Sequence, residues 1–365
     1  MPTDLVHHIA LTMVPHIGDI HARELIGYFG NAENIFKARK SDLDKLPGIG
    51  EVRARSIKEF KDFKRAEEEM RFIEKFKIEV LVLGAPGYPK RLLNCYDAPL
   101  LLYFRGKADL NAEKIVSIIG TRNNTDYGKE SAREIIEDLA PYKVLIVSGL
   151  AYGVDSIAHK LALKQDLPTV GILAHGLDRI YPDENKTLAR EMIMNGGLLT
   201  DFMTKTKPDK QNFPKRNRIV AGISDATVVI ETSLKGGSMI TAELANSYNK
   251  DVFAVPGKIS DTRSEGCNYL IRTNKAALVS SGKDIIEFMN WNQLPLKHQP
   301  QRELFVELTP DEKVIVQILR QYGITHIDEL YVKSGLRSSA VAAAILNLEL
   351  QNVLTSLPGK LYKLL

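Results

Sequence analysis

Only two cysteines, Cys95 and Cys267, occur in the 365 residues, too few for a disulfide framework or a four-thiolate zinc site. They read as small buried apolar residues in a reducing compartment. No Lys or Arg precedes Arg23, so the charged n-region of a secretory signal is not expected. Uncharged apolar stretches such as 144–154 fall far short of the roughly 20 residues that span a bilayer. No strand-like run leads into G-x-G-x-x-G, and GxxxxGK[ST] is absent, which disfavours a dinucleotide dehydrogenase and a P-loop NTPase. Charge of one sign is scarce too: 49 basic against 45 acidic residues leave +4, so any anion-binding site must be local. What remains is a globular composition, 44% apolar and 26% charged, for which a cytoplasmic protein without cofactor or metal is expected.

Periodicity divides the chain. Residues 1–75 place apolar side chains at helical spacing (Leu5, Ile9, Leu11; Leu25, Ile26, Phe29), broken by two similar turns, Val14–Gly18 and Leu46–Gly50. The glycines permit tight turns and leave N–H groups bare at the next helix start, where a phosphate can dock. This doubled pattern is similar to paired helix-hairpin-helix units of the SAM-like type, with a scaffold role and DNA contact equally open. The mixed charges of 58–77 predict a solvated connecting helix. From 76 to 290, short apolar runs alternate with amphipathic helices: Ile115–Ile119, Val144–Val147, Thr169–Leu173, Leu198–Thr200, Thr227–Ile230, Val252–Val255 and Ala277–Val279, with Val80–Leu83 and Leu100–Phe104 before them. That alternation predicts an α/β domain with a mostly parallel sheet covered on both faces, its ligands beyond the carboxyl ends of the strands. Residues 291–307 read as a linker. In 308–365, a Thr309/Glu312 capping box opening a first helix, a Gly323 turn, helical stretches at 325–332 and 338–350, and a hairpin-like tail give a winged-helix pattern.

The strand-to-helix loops hold the candidate chemistry. Gly120 lets backbone approach a ligand, Thr121 offers a hydroxyl and Arg122 a bidentate fork for phosphate. Ser148 and Gly149 open a second anion-binding turn that runs to Asp155, read as a helix N-cap; His159, one turn on, reads more readily as packed than as catalytic. The loop of His175, Gly176, Tyr181, Pro182 and Asn185 is rich in turn residues and adds little chemistry. Gly236, Gly237 and Ser238 directly precede a helix and aim N–H groups at one spot. The segment 205–218 carries Lys205, Lys207, Lys210, Lys215, Arg216 and Arg218 against Asp209, a local +5, around Phe213-Pro214. Cations that track a backbone beside a ring that stacks a base suit single-stranded nucleic acid.

Taken in order, Gly120-Thr121-Arg122, 148–155 with Ala158-His159, Phe213–Ile219, Gly237–Ala242, Ala254–Gly257 and Gly266-Cys267-Asn268 with Leu270-Ile271 resemble the DNA-processing protein A family, also called Smf. The resemblance implies an extended Rossmann-like sheet (76–290) flanked by a SAM-like helix-hairpin-helix domain (1–75) and a winged-helix domain (308–365). It implies a homodimeric, non-enzymatic single-stranded DNA-binding protein of natural transformation that protects incoming strands and loads the RecA recombinase, displacing single-strand-binding protein. By motif, Arg122 and Lys210 would grip phosphates, Phe213 would stack on a base, and Ser148, Gly149, Gly237 and Ser238 would add phosphate contacts. The sequence departs from the family at Thr273–Ala276, where Gly-Ala is common, and at Lys235-Gly236, where a small residue is common; Lys235 adds a cation beside the proposed site.

Two rival readings stand against this one. A phosphoribohydrolase of the lysine-decarboxylase-like family would use Gly236-Gly237 with Glu243, and Glu231 as base, but its Pro-Gly-Gly-x-Gly-Thr run is missing. A duplex-binding regulator would work through the winged helix, yet 305–365 balances six basic with six acidic residues. A domain without net charge is a poor phosphate-backbone binder, so protein contact is expected there.

Overall fold

The computed structural model describes residues 4–292, 308–351, 353–357 and 359–364, in two compact units divided after Asn292. The linker expected at 291–307 lies almost wholly outside the described residues. The first unit opens with six helices: α1 (Leu5–Met13), α2 (Asp19–Phe29), α3 (Ala32–Lys37), α4 (Lys40–Asp44), α5 (Gly50–Glu59) and α6 (Phe63–Phe76). Leu5, Ile9, Leu11 and Leu25 are buried in one cluster with Ile35, Leu43 and Ile57. The two expected hairpin turns separate α1 from α2 and α4 from α5. Arg53 bridges them, donating to the carbonyls of His16 (3.1 Å) and Gly48 (2.9 Å). The connecting helix α6 is not solvated all round: Glu69 on its inner face is buried, accepting from Arg65 (2.8 Å) and from the Thr204 N–H (2.9 Å). The sequence shows the mixed charges but not which of them a distant loop engages.

Nine strands follow: β1 (Glu79–Val82), β2 (Leu101–Gly106), β3 (Ile115–Ile119), β4 (Leu145–Ser148), β5 (Thr169–Ile172), β6 (Gly196–Thr200), β7 (Ala226–Val229), β8 (Asp251–Ala254) and β9 (Ala277–Leu278). Each falls on one of the predicted apolar runs. They form one sheet in the order β1-β2-β6-β5-β4-β3-β7-β8-β9. All pairings are parallel except β1 with β2 and β2 with β6. The helices between strands are α7 (Lys90–Leu93), α8 (Asp126–Leu139), α9 (Val154–Lys164), α10 (Lys186–Met194), α11 (Asn212–Ile223), α12 (Gly237–Ser247) and α13 (Glu265–Arg272), with α14 (Gly282–Phe288) after β9. They cover both faces, so β3 to β7 are buried along their whole length, as a parallel sheet requires.

From β3 the chain runs outward through β4, β5 and β6, then returns to place β7 on the other side of β3. The connections leaving β3 and β7 thus diverge and open a crevice beyond their carboxyl ends, the topological switch point where such sheets bind ligands.

The second unit holds α15 (Pro310–Tyr322), β10 (Thr325–His326), α16 (Ile327–Ser334), α17 (Ser338–Leu350), β11 (Leu354–Leu357) and β12 (Leu361–Leu364). Thr309 and Glu312 make the expected capping box. Thr325 and His326, expected to be helical, pair instead with Leu361 and Tyr362, since β-branched Thr325 gains a ladder to the hairpin that local propensity does not reveal. No described helix is long and apolar enough to cross a membrane.

Candidate nucleic-acid interface

At the switch point lies a cleft of about 320 Å³. Its floor is the β3–α8 turn, Gly120-Thr121-Arg122. Backbone bonds fix that turn: the Thr121 N–H donates to the Glu231 carbonyl (2.6 Å), and the Thr121 carbonyl accepts from Val154 (3.1 Å). Gly153, with φ of 75°, packs so closely that a Cβ would overlap the Thr121 carbonyl oxygen. The turn's far end is pinned by Glu231, fully buried, which accepts from Thr125 through N–H (2.8 Å) and hydroxyl (2.5 Å).

Opposite, α12 begins at Gly237 with Gly236 as N-cap and no side-chain cap, so the Gly237 and Ser238 N–H groups lack intrahelical partners. The Ser238 hydroxyl is engaged by Thr232 (2.7 Å), leaving its backbone to face a ligand. The third wall is α11. Phe213 lies under the Arg122 guanidinium, 5.2 Å from ring centroid to Cζ, with Arg216 at 5.9 Å. Arg122 is exposed and has no ion-pair partner among the described residues.

Of the predicted residues, Gly120, Thr121, Arg122, Gly149, Phe213, Arg216, Gly237 and Ser238 line this one cleft. Arg216 lines it as part of the wall: it is 4% exposed and donates to the carbonyls of Gly149 (2.5 Å) and Ile172. Ser148 sits beneath, fully buried, its hydroxyl bonded to the Ile118 carbonyl (2.6 Å). Lys210 and Lys235 are exposed on the flanking loops. Lys215 and Arg218 face a second groove, of about 900 Å³, between α11 and the first helical hairpin. There Arg218 is engaged by Asp19 (2.8 Å), Asp201 (2.7 Å) and the Asp97 carbonyl (2.5 Å). Lys205 pairs with Glu68 (2.8 Å).

Asp155 is not the N-cap. Gly153 caps α9, and Asp155, one residue inside, reaches back toward the Ala151 N–H (3.4 Å) and lines the cleft. Burial raises its pKa, against the pull of Arg216. His159 is packed, as read: its Nδ1 lies 2.7 Å from the Thr169 hydroxyl, and burial, helped by Arg216, pushes its pKa down to about 3. The rival general base, Glu231, is enclosed, and Glu243 is exposed beside Lys275 (3.6 Å); neither lines the cleft. Sequence reasoning passed over Asn217, Thr232, Ser233 and Thr241, which complete the lining. Position just after β7 or in the first two turns of α11 or α12 was the available signal.

Comparison with known proteins finds relatives for each part of the chain. The family model for DNA recombination-mediator protein A matches residues 79–290, a helix-hairpin-helix motif matches 9–69 and a DprA winged helix domain matches 299–360. Protein Smf of Synechocystis is 29% identical over 398 residues, covering 99% of each chain. The solved structure of DNA processing protein A from Streptococcus pneumoniae superposes with a TM-score of 0.68 at 30% identity, over 77% of this chain and 97% of the other. That of the Helicobacter pylori protein, described for its single-stranded DNA binding mode, gives 0.54 at 32% identity, over 60% and 97%.

Proposed function

The chain belongs to the DNA recombination-mediator protein A family, and from that premise we propose that it captures single-stranded DNA in the switch-point cleft without transforming it. One observation carries the reading: three strand-to-helix turns and α11 converge on a single cleft that presents uncapped helix N–H groups, an aromatic ring and an arginine with no ion-pair partner among the described residues. Arg122 takes a phosphate, and as it turns outward Phe213 offers its ring to a base. Gly149, Gly237 and Ser238 give backbone contacts, while Lys210 and Lys235 track the strand on either side. Free N–H groups and arginine forks recognise phosphate oxygens rather than base edges, so sequence matters little.

On this reading the protein works in the cytoplasm as a homodimer. It shields incoming strands during natural transformation and passes them to the RecA recombinase in place of single-strand-binding protein, with the winged-helix unit serving protein contact. The test is a titration of the full chain with oligo(dT) and with a duplex of equal length at 150 mM salt. Tight binding of the single strand is expected, with Arg122→Ala and Phe213→Ala each losing most of the affinity while melting as the native protein does. Native affinity in both variants would falsify the site. Recombinase loading is checked separately, by RecA filament assembly on strands precoated with single-strand-binding protein; no acceleration by the chain refutes that step.

A further inference from the structure

The ring in the cleft is already covered, since Phe213 has guanidinium groups over it from Arg122 and Arg216. Two open aromatic faces lie beside it. Tyr152, between β4 and α9, is 42% exposed, and Tyr181, after β5, is 43% exposed. Both line a small crevice that shares Arg122, Gly149, Ala151 and Phe213 with the cleft. Tyr181 stands edge-on to Phe213, centroids 6.3 Å apart and planes at 61°. A single exposed ring needs no explanation, but two on the rim of one cationic cleft mark an interaction surface.

The Tyr152 ring and the Tyr181 backbone are each anchored. The Tyr152 hydroxyl donates to Glu184 (2.7 Å). The Tyr181 N–H donates to Nε2 of buried His175 (3.2 Å), so the imidazole proton is on Nδ1, bonded to the Gly176 carbonyl (3.0 Å). A ring tied by its hydroxyl, or seated edge-on against a neighbour on an anchored backbone, gives up little freedom when a partner stacks on it. Charge then sets the orientation of a strand. Glu184 is exposed at Tyr152, beside Asp183, which is paired with Lys186 (2.9 Å), whereas Arg122 and the free N–H groups of α12 lie on the cleft side. An anionic backbone is repelled from the first and drawn to the second, which leaves the uncharged bases over the tyrosines.

We propose that Tyr181 and Tyr152 form a stacking platform for the unpaired base next to the nucleotide whose phosphate occupies the cleft. The site then holds at least two consecutive nucleotides, backbone inward and bases outward. This rests on the single-strand reading above and adds to it the part of the ligand that the cleft does not reach.

The experiment uses the full chain and oligo(dT) carrying one 2-aminopurine, followed by anisotropy and by quenching of the reporter. Tyr181→Ala and Tyr152→Ala should each lower affinity roughly 5- to 100-fold, the effect of losing one base–aromatic stack, and abolish the quenching. The melting temperature and the salt dependence should stay native, and Tyr181→Phe should bind as the native chain does. Native affinity and quenching in both alanine variants overturn the platform while leaving the single-strand reading intact. So does a loss accompanied by a shallower salt dependence, which marks a displaced Arg122 rather than a lost stack. A native chain that ignores the oligonucleotide overturns both.

Discussion

Gly237 separates binding from stability. It is the first residue of α12, exposed and lining the cleft, and a Cβ built on it meets nothing within 4 Å. Neither packing nor a left-handed backbone requires glycine there. The neighbouring Gly236 differs: its Cβ would overlap the Thr232 hydroxyl and come within 3.1 Å of the Ser233 carbonyl. Gly237→Ala should therefore stabilise the chain, by a few tenths up to about 1 kcal/mol, because glycine is the poorer helix residue. If a phosphate approaches the Gly237 and Ser238 N–H groups, the added methyl stands in its path. Losing one charge-assisted hydrogen bond costs about 1.5–3 kcal/mol, or on the order of 10- to 100-fold in affinity. Anisotropy with labelled oligo(dT), paired with thermal unfolding, reads both quantities. A Gly237→Ala chain that binds within twofold of native refutes the backbone-cradle reasoning, whereas Gly236→Ala should lose stability and binding together.

Arg218→Ala should cost roughly 3–5 kcal/mol by stranding Asp19 and Asp201 without their shared partner, lowering the melting temperature by on the order of 10 °C; an unchanged melting temperature contradicts the assignment. His159 gives a pH signature. Its folded pKa of about 3 lies below the ordinary value, so its contribution is complete above roughly pH 6.5 and declines as pH falls toward the folded value, by about 1.4 kcal/mol per unit. Urea unfolding at pH 7.5 and pH 5 should show the decline, and His159→Asn should flatten it. Salt dependence offers a count of free cations. Arg122, Lys207, Lys210, Lys215 and Lys235 are exposed without ion-pair partners among the described residues, so log affinity against log salt should have a slope no steeper than about −3.5, at roughly −0.7 per phosphate; a slope near −6 would show that Lys205, Arg216 and Arg218 leave their partners.

Much of the sheet was legible because a buried parallel strand must be apolar along its length, and each predicted run became a strand. The cleft was legible in part for a related reason. A turn at the carboxyl end of such a strand needs glycine where helix and backbone come close, as at Gly120, whose Cβ would fall 2.6 Å from Val154. Capping was less legible. Asp155 looks like an N-cap because it precedes an apolar period, yet a glycine two residues earlier takes that place through its positive φ. Nothing periodic marks the tyrosines as site residues: Tyr181 sits in a loop rich in turn residues and poor in chemistry, and only the fold brings that loop beside Phe213.

The charged segment shows most clearly what a linear reading misses. In sequence, 205–218 is one patch of +5; in space it is several surfaces, because successive residues on a helix diverge by about 100°. On α11, Phe213 and Asn217 turn to the cleft and Pro214 and Lys215 to the second groove, while Arg216 and Arg218 point into the body, one onto two carbonyls and the other onto two carboxylates. These two arginines hold the helix at a fixed angle against β5 and α2, and that angle sets Phe213 under Arg122. A third of the cations that read as affinity for an anion are thus the scaffold that aims the rest of the site. It follows that removing Arg216 or Arg218 should harm binding through position, whereas removing Arg122 should harm it through charge, and the salt slope tells the two apart.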